Sequence, residues 1–145
     1  QHNFHHGDAM HLPFPDNSFD IAYSFAVIHH IPSEEGRRKY LREALRVLHP
    51  GGKFIFTAWE LWTPKHFGKL LLSAIRALLG QTGLDVGDVM LTFGKEKHPR
   101  YVHACTRREL TRLLTEEGFA VVDADNIARK SGEENIVIVA QKPLS

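Results

Sequence analysis

Between Gly7 and Trp59 the chain reads GDAMHLPFPDNSFDIAYSFAVIHHIPSEEGRRKYLREALRVLHPGGKFIFTAW, and no other stretch constrains the fold as strongly. Phe19 to Phe25 is short and apolar, as a strand buried on both faces is. Ser33 reads as a helix N-cap, with Glu34 and Glu35 at the positive end of the helix dipole. Tyr40, Leu41, Ala44, Leu45 and Leu48 recur at helical spacing, while Arg37, Arg38, Arg42, Glu43 and Arg46 fall on the other faces. Pro50-Gly51-Gly52 ends the helix and turns the chain. Lys53 to Trp59 is rich in aromatic and β-branched residues and predicts the next strand. Two strands joined by one amphipathic helix predict a parallel pair in an α/β layer.

The flanking segments extend this layout. Asn3 to His6 suits the end of a further strand, closed by the turn residues Gly7 and Asp8. Pro13, Pro15, Asp16 and Asn17 predict a loop, because proline cannot donate to a ladder. Leu61 to Leu79 reads as a helix that begins after Pro64. Gly80 to Pro99, with Gly80, Gly83, Gly87 and Gly94, reads as a long loop, so residues 61–105 form a helix and loop insertion in one domain. Thr106 and Glu109 make a capping-box pattern for a helix through Glu117, ended by Gly118. Phe119 to Asp123 and Asn135 to Gln141 predict strands separated only by the polar turn Ser131 to Glu134. With no helix between them, they are expected as an antiparallel pair at the sheet edge.

Composition excludes several classes. With 145 residues, 43% of them hydrophobic and 24% charged, the chain can bury a core. No run is long enough for a membrane span, and Arg76 interrupts the most apolar region, Leu70 to Leu79. The single Cys105 rules out an internal disulfide and suits a reducing compartment, so a cytoplasmic location is expected. The net charge of +1 gives no general preference for polyanions. Positive charge is nonetheless concentrated at Lys95, Lys97, Arg100, Arg107, Arg108 and Arg112, against Glu96 and Glu109, as either a phosphate-facing patch or a solvated face. His29, His30 and His103, like His2, His5 and His6, lack Cys or acidic partners at zinc-like spacing, so no metal is expected.

The ordered set GDA, LPFPDNSFD, VIHHI and LREALRVLHPGG resembles the class I S-adenosylmethionine-dependent methyltransferases, from the end of their third strand to their seventh. The resemblance implies an incomplete Rossmann-like α/β sheet whose last two strands are antiparallel. It also implies S-adenosylmethionine as cofactor. In that family the Asp of such a GDA accepts from the adenine amino group and the next backbone N–H meets the ring, which maps onto Asp8 and Ala9. Met10 packs on the adenine or on the core, and Ser24, Phe25 and Ala26 lie under the cofactor at the end of the fourth strand. A lone acidic residue at a strand's C-terminal end suits the ligand crevice of an open α/β sheet independently of the family. The family's glycine-rich E/DxGxGxG loop is not in this sequence; the adjacent Gly51 and Gly52 follow a helix. Because the chain opens on Gln1, it is expected to be a piece cut from a longer protein, poor at holding the cofactor alone.

Within the class, SFAVIHHIPSEEGRRKYLREALRVLHPGGKFIFTAWE is similar to the tRNA wobble-uridine carboxymethyl methyltransferases and the methyltransferase half of AlkB-like tRNA hydroxylases. Arg100-Tyr101-Val102-His103 ahead of Arg108-Glu109-Leu110 matches a later family segment, although Val102 replaces an aromatic. The resemblance implies tRNA as partner, with a small activating zinc protein in eukaryotic members. His30, Arg100, Tyr101 and His103 become the candidate catalytic residues, with Tyr101 or Trp59 able to stack a base. The competing functions are a quinone-type small-molecule C-methyltransferase, which shares LPFPDNSFD and the Pro-Gly-Gly turn, and a non-catalytic scaffold.

Overall fold

The computed structural model describes residues 4–80, 85–93, 98–128 and 133–144. The elements in order are β1 (Phe19–Phe25), a 3-10 turn at Ile28–His30, α1 (Glu34–Val47), β2 (Leu48–Trp59), α2 (Phe67–Leu78), β3 (Asp88–Phe93), β4 (His98–His103), α3 (Arg107–Glu116), β5 (Ala120–Ala128) and β6 (Glu134–Gln141). The main sheet has the order β1-β2-β6-β5. The pair β1–β2 is parallel, whereas β2–β6 and β6–β5 are antiparallel. The expected α/β sheet with an antiparallel terminal pair is therefore present.

The helices form where the caps predict. Ser33 Oγ accepts from the Gly36 N–H at 3.1 Å, and Thr106 Oγ1 accepts from the Glu109 N–H at 3.1 Å. Tyr40, Leu41 and Ala44 of α1 and Leu110, Leu113 and Leu114 of α3 share one core with Phe54, Phe56, Ile136 and Ile138 of the sheet. The loop before β1 is tied to α1 by charge. Arg46 donates to the carbonyls of Leu12 and Phe14 and pairs with Asp16, while Glu43 accepts the Leu12 N–H at 2.8 Å. The Arg46 guanidinium holds the Glu43 carboxyl down at about 2.

Five local expectations are corrected. Residues 4–6 form no strand; Asp8 instead bridges to His11. β1 is not buried on both faces: Phe19, Ile21, Tyr23 and Phe25 are exposed, because β1 lies at the end of the described sheet and one of its faces carries no helix. The Pro-Gly-Gly segment lies within β2 rather than before it, looping out of register between the pairs Phe19–Leu48 and Ile21–Lys53. Gly51 there has φ +81°, and a Cβ on Gly52 would lie 2.8 Å from the His49 carbonyl oxygen. Arg37 is not on an outer face but 1% exposed.

The fifth correction concerns the glycine-rich stretch after α2. Its described part holds β3, which pairs with β4 as an antiparallel hairpin from Asp88–His103 to Phe93–His98. This second sheet has its own small core of Leu61, Leu70, Val89, Leu91, Val102 and Ala104. Gly83, Gly94 and the charged residues Lys95, Glu96 and Lys97 lie outside the described residues.

Candidate active site

The C-terminal ends of the parallel strands β1 and β2 make the crevice in which open α/β sheets bind ligands. Chain geometry there is unusual. Ala26, directly after β1, has φ +57°, a conformation a non-glycine residue adopts only when its surroundings impose it. The imposing contact is Thr57 of β2, whose carbonyl and hydroxyl oxygens both accept from the Ala26 N–H, at 3.1 and 3.0 Å. Beneath this bend, Tyr40 donates its hydroxyl to Ser24 Oγ, and burial pushes the phenol up to about 12. Ser24 thus faces α1, while Phe25 is exposed and lies beside Tyr23.

A cavity of about 150 Å³ opens beside these residues, lined by Ala9, Leu12, Ala22, Val27, Tyr40 and Phe54 among others. Asp8 stands exposed at its approach. Asp8 Oδ1 accepts the Met10 N–H at 2.9 Å, and Oδ2 lies 3.8 Å from His11 Nδ1. Asp8 therefore does make the local turn contact its residue type favours. The Ala9 N–H has no hydrogen-bond partner among the described residues. Met10 and Ala9 pack at the margin of the main core.

After Ala26 the chain enters the 3-10 turn carrying both histidines. His29 is buried and stacks on Trp59, with ring centroids 4.5 Å apart, and its Nδ1 accepts the Trp59 N–H at 3.3 Å. His30 meets the same indole edge-on at 5.3 Å. His30 Nδ1 lies 3.1 Å from the Tyr101 carbonyl oxygen. A carbonyl only accepts, so Nδ1 carries the proton and Nε2 is the nitrogen left for other chemistry. This bond brings β4 to the end of β1.

The remaining candidates on β4 differ in what they can reach. Arg100 is exposed and stands opposite Leu91. Tyr101 donates its hydroxyl to Asp88 Oδ1 at 2.7 Å; burial, followed by that carboxylate, raises its pKa. His103 is buried between two carboxylates, with Nδ1 2.6 Å from Asp88 Oδ1 and Nε2 2.9 Å from Glu109 Oε1. Both nitrogens must donate to satisfy both acceptors, so His103 is an imidazolium. Burial alone lowers its pKa, but the two carboxylates outweigh that and raise it. Glu109 thus gives its carboxylate to His103 rather than completing the capping box.

Sequence reasoning missed the groups around His103. Arg37 donates to the Ile31 carbonyl at 3.3 Å and to Asp85 Oδ2 at 3.2 Å, and lies 3.6 Å from Glu109. Asp85 in turn accepts the Glu34 N–H at 3.0 Å and donates its own N–H to Asp88 at 2.8 Å. The chain Asp88–His103–Glu109–Arg37–Asp85 joins the hairpin to α1 and α3. Its partners are distant in sequence, and only the acidic pair Asp85 and Asp88 in an otherwise glycine-rich stretch hinted at it. Among the described residues no cluster of His, Cys, Asp and Glu is disposed to hold a metal ion.

A methyltransferase-domain family model matches residues 1–56. A protein of Encephalitozoon cuniculi assigned as a methyltransferase is 32% identical over 137 residues, which cover 94% of this chain and 59% of that protein. Among solved structures, a SAM-dependent methyltransferase of Methanosarcina mazei superposes with a TM-score of 0.76 at 26% identity, covering 96% of this chain and 66% of that one. Residues 1–56 thus match the methyltransferase domain, and the chain has the fold of the S-adenosylmethionine-dependent methyltransferases. The tRNA (carboxymethyluridine(34)-5-O)-methyltransferase of Schizosaccharomyces pombe is 48% identical over 54 residues, 37% of this chain and 24% of that enzyme. The chain thus spans less than two thirds of the length of these curated relatives. The cofactor of the family is S-adenosylmethionine. No helix among the described residues is long and apolar enough to cross a membrane.

Proposed function

We propose that this chain carries the adenine and substrate sides of a methyltransferase that esterifies a carboxymethyl group on a tRNA wobble uridine. The observation that carries the reading is the His30–Tyr101 bond. It joins the turn after β1 to β4, so that His30 and Arg100 come from two elements held together at the crevice. The identity to the fission yeast enzyme supports the choice of substrate.

The residues at the crevice fit the adenosine end of the cofactor. An adenine edge needs an acceptor for its amino group and a donor for the ring nitrogen beside it. Asp8 Oδ2 and the Ala9 N–H supply one of each, next to the cavity that Ala9 and Leu12 line. When bound, S-adenosylmethionine supplies an electrophilic methyl group on a sulfonium. The acceptor carboxylate is already ionised at neutral pH, so no strong base is required. What the protein must do is hold one carboxylate oxygen in line and exclude water. Arg100 has the planar donor fork to grip that carboxylate. His30, with Nδ1 committed to the Tyr101 carbonyl, keeps Nε2 for the acceptor. Tyr101 and His103 act as positioning residues, since their polar atoms face Asp88 and Glu109. Trp59 is the better stacking platform than Tyr101, whose hydroxyl is anchored. A cytoplasmic setting suits the buried Cys105 thiol.

Deletion of the gene, followed by mass spectrometry of tRNA nucleosides, tests the reading. The methyl ester of carboxymethyluridine is expected to vanish, with the free acid accumulating. Unchanged ester levels overturn the tRNA assignment and favour a small-molecule acceptor.

A further inference from the structure

A second cavity lies away from the Asp8 side, between the end of β2, the start of α2 and the hairpin. It measures about 540 Å³ and is lined by Trp59, Lys65, His66, Lys69, Leu91, Thr92 and Glu133. Lys65, in the turn before α2, and Lys69, in the first turn of α2, both line the cavity. Lys65 pairs with Glu133 at 2.9 Å, whereas Lys69 has no carboxylate partner among the described residues. His66 between them reports the local charge: burial and then Lys65 lower its pKa, and Lys69 adds to the effect against Glu133. Leu91 of the cleft wall is the register partner of Arg100 on β4.

We infer that this cleft is the seat of the RNA strand next to the target nucleotide, with Lys65 and Lys69 on successive phosphates. The inference rests on the tRNA reading and extends it to a surface that reading did not use. Cations alone suit any polyanion. Cations beside an indole in a recessed cleft suit a nucleotide, because stacking and phosphate contact are satisfied together. An acidic peptide offers no flat ring for Trp59. Trp59 also touches His30, so the cleft is continuous with the proposed site of chemistry. Glu133 competes for Lys65 until a phosphate displaces it.

The test uses the full-length protein and a fluorescently labelled anticodon stem-loop RNA, with anisotropy measured over a range of KCl concentrations. The double variant Lys65→Ala/Lys69→Ala is expected to bind about 10-fold more weakly at moderate salt, with the salt slope reduced by roughly 1.4 to 1.8 for the two lost phosphate contacts. Glu133→Gln is expected to bind more tightly than wild type, and Lys53→Ala, on the exposed surface of β2, to match it. Cofactor affinity and kcat at saturating RNA stay unchanged in the double variant while KM rises. A double variant with wild-type affinity and salt slope, on a protein that still binds and methylates RNA, overturns the cleft assignment alone. A wild-type protein that neither binds nor methylates the RNA overturns the tRNA reading and the cleft with it.

Discussion

His103 Nδ1 and Asp88 Oδ1 lie 2.6 Å apart in a site where both side chains are almost wholly buried. The pair holds β3 and β4 in place against α3, through Glu109, and against α1, through Arg37. Replacing His103 by Ala leaves Asp88 and Glu109 as buried carboxylates without their shared donor. The expected loss is about 3 to 5 kcal/mol, as for other broken buried pairs. Urea unfolding of the full-length protein checks this; a loss below about 1 kcal/mol would show that the network carries no weight.

The same cluster sets a pH window. His103 is raised above its ordinary value, so its contribution is complete below about 6.5 and disappears as pH rises through the folded value. Burial pushes Asp88 and Glu109 up, but hydrogen bonds, chiefly from His103, bring both below the usual carboxylate range. Their contribution is present above about 4 and is lost as pH falls through their folded values. Hydrogen-exchange protection of β4 amides is therefore expected to peak between about pH 5 and 6.5. His103→Asn should abolish the alkaline decline, and an unchanged profile in that variant would assign the decline elsewhere.

Cofactor binding should respond to Asp8. Asp8→Ala removes an acceptor that is charged, an interaction worth about 1.5 to 3 kcal/mol. Calorimetry on the full-length protein is expected to show S-adenosylmethionine bound at least about 10-fold more weakly, with the fold intact by circular dichroism. Unaltered affinity would return Asp8 to its turn contact with Met10 alone.

Arg100 should separate substrate from cofactor. Arg100→Ala is expected to reduce kcat/KM for carboxymethylated tRNA by about 10- to 150-fold, the loss of one charge-assisted contact, while leaving cofactor affinity unchanged. Arg100→Lys should recover only part of the activity, because an ammonium lacks the planar fork. Equal loss of cofactor and substrate binding in the Ala variant would make Arg100 a structural residue.

The outer helix faces should be tolerant by comparison. Arg38, Arg42 and Arg112 of α1 and α3 share Glu34, Glu35, Glu116 and Glu117 at the surface. Hydrogen bonds from Arg112 and Arg38 lower Glu34 to about 2. Nevertheless, Arg42→Ala should cost less than about 1 kcal/mol, because exposed pairs are screened. Thr106→Ala should cost about 1 kcal/mol through the lost cap. Thermal unfolding ranks the two.

What the sequence showed plainly were features written in local spacing. The caps at Ser33 and Thr106, the apolar stripe of α1 and the strand character of 135–141 all follow from neighbours within a few residues. What it hid depends on distant partners. The run Asp88–Phe93 has strand-forming residues, but the glycines around it suggested a loop, and only pairing with His98–His103 makes it a strand. Arg37 sits in the register of a solvent-facing residue, and its burial follows from Asp85, Glu109 and the Ile31 carbonyl, all invisible in the pattern of α1. His103 was singled out for chemistry by its motif, and nothing local announces the two carboxylates, Asp88 and Glu109, that flank its ring. Asp8 and Ala9 stood out because the turn chemistry of Gly7-Asp8 is itself a local signal, although the strand expected before it is absent from residues 4–6.

The hairpin alternates its duties residue by residue. Tyr101 and His103 of β4 are committed to Asp88, whereas Arg100 and Met90 stand exposed on the same two strands. A lineage could therefore exchange Arg100 or Met90 for new substrate contacts without disturbing the residues that hold the strands down. The exposed chemistry of the hairpin and its foldedness are separately mutable here, which is the condition under which one scaffold changes its surface by small steps.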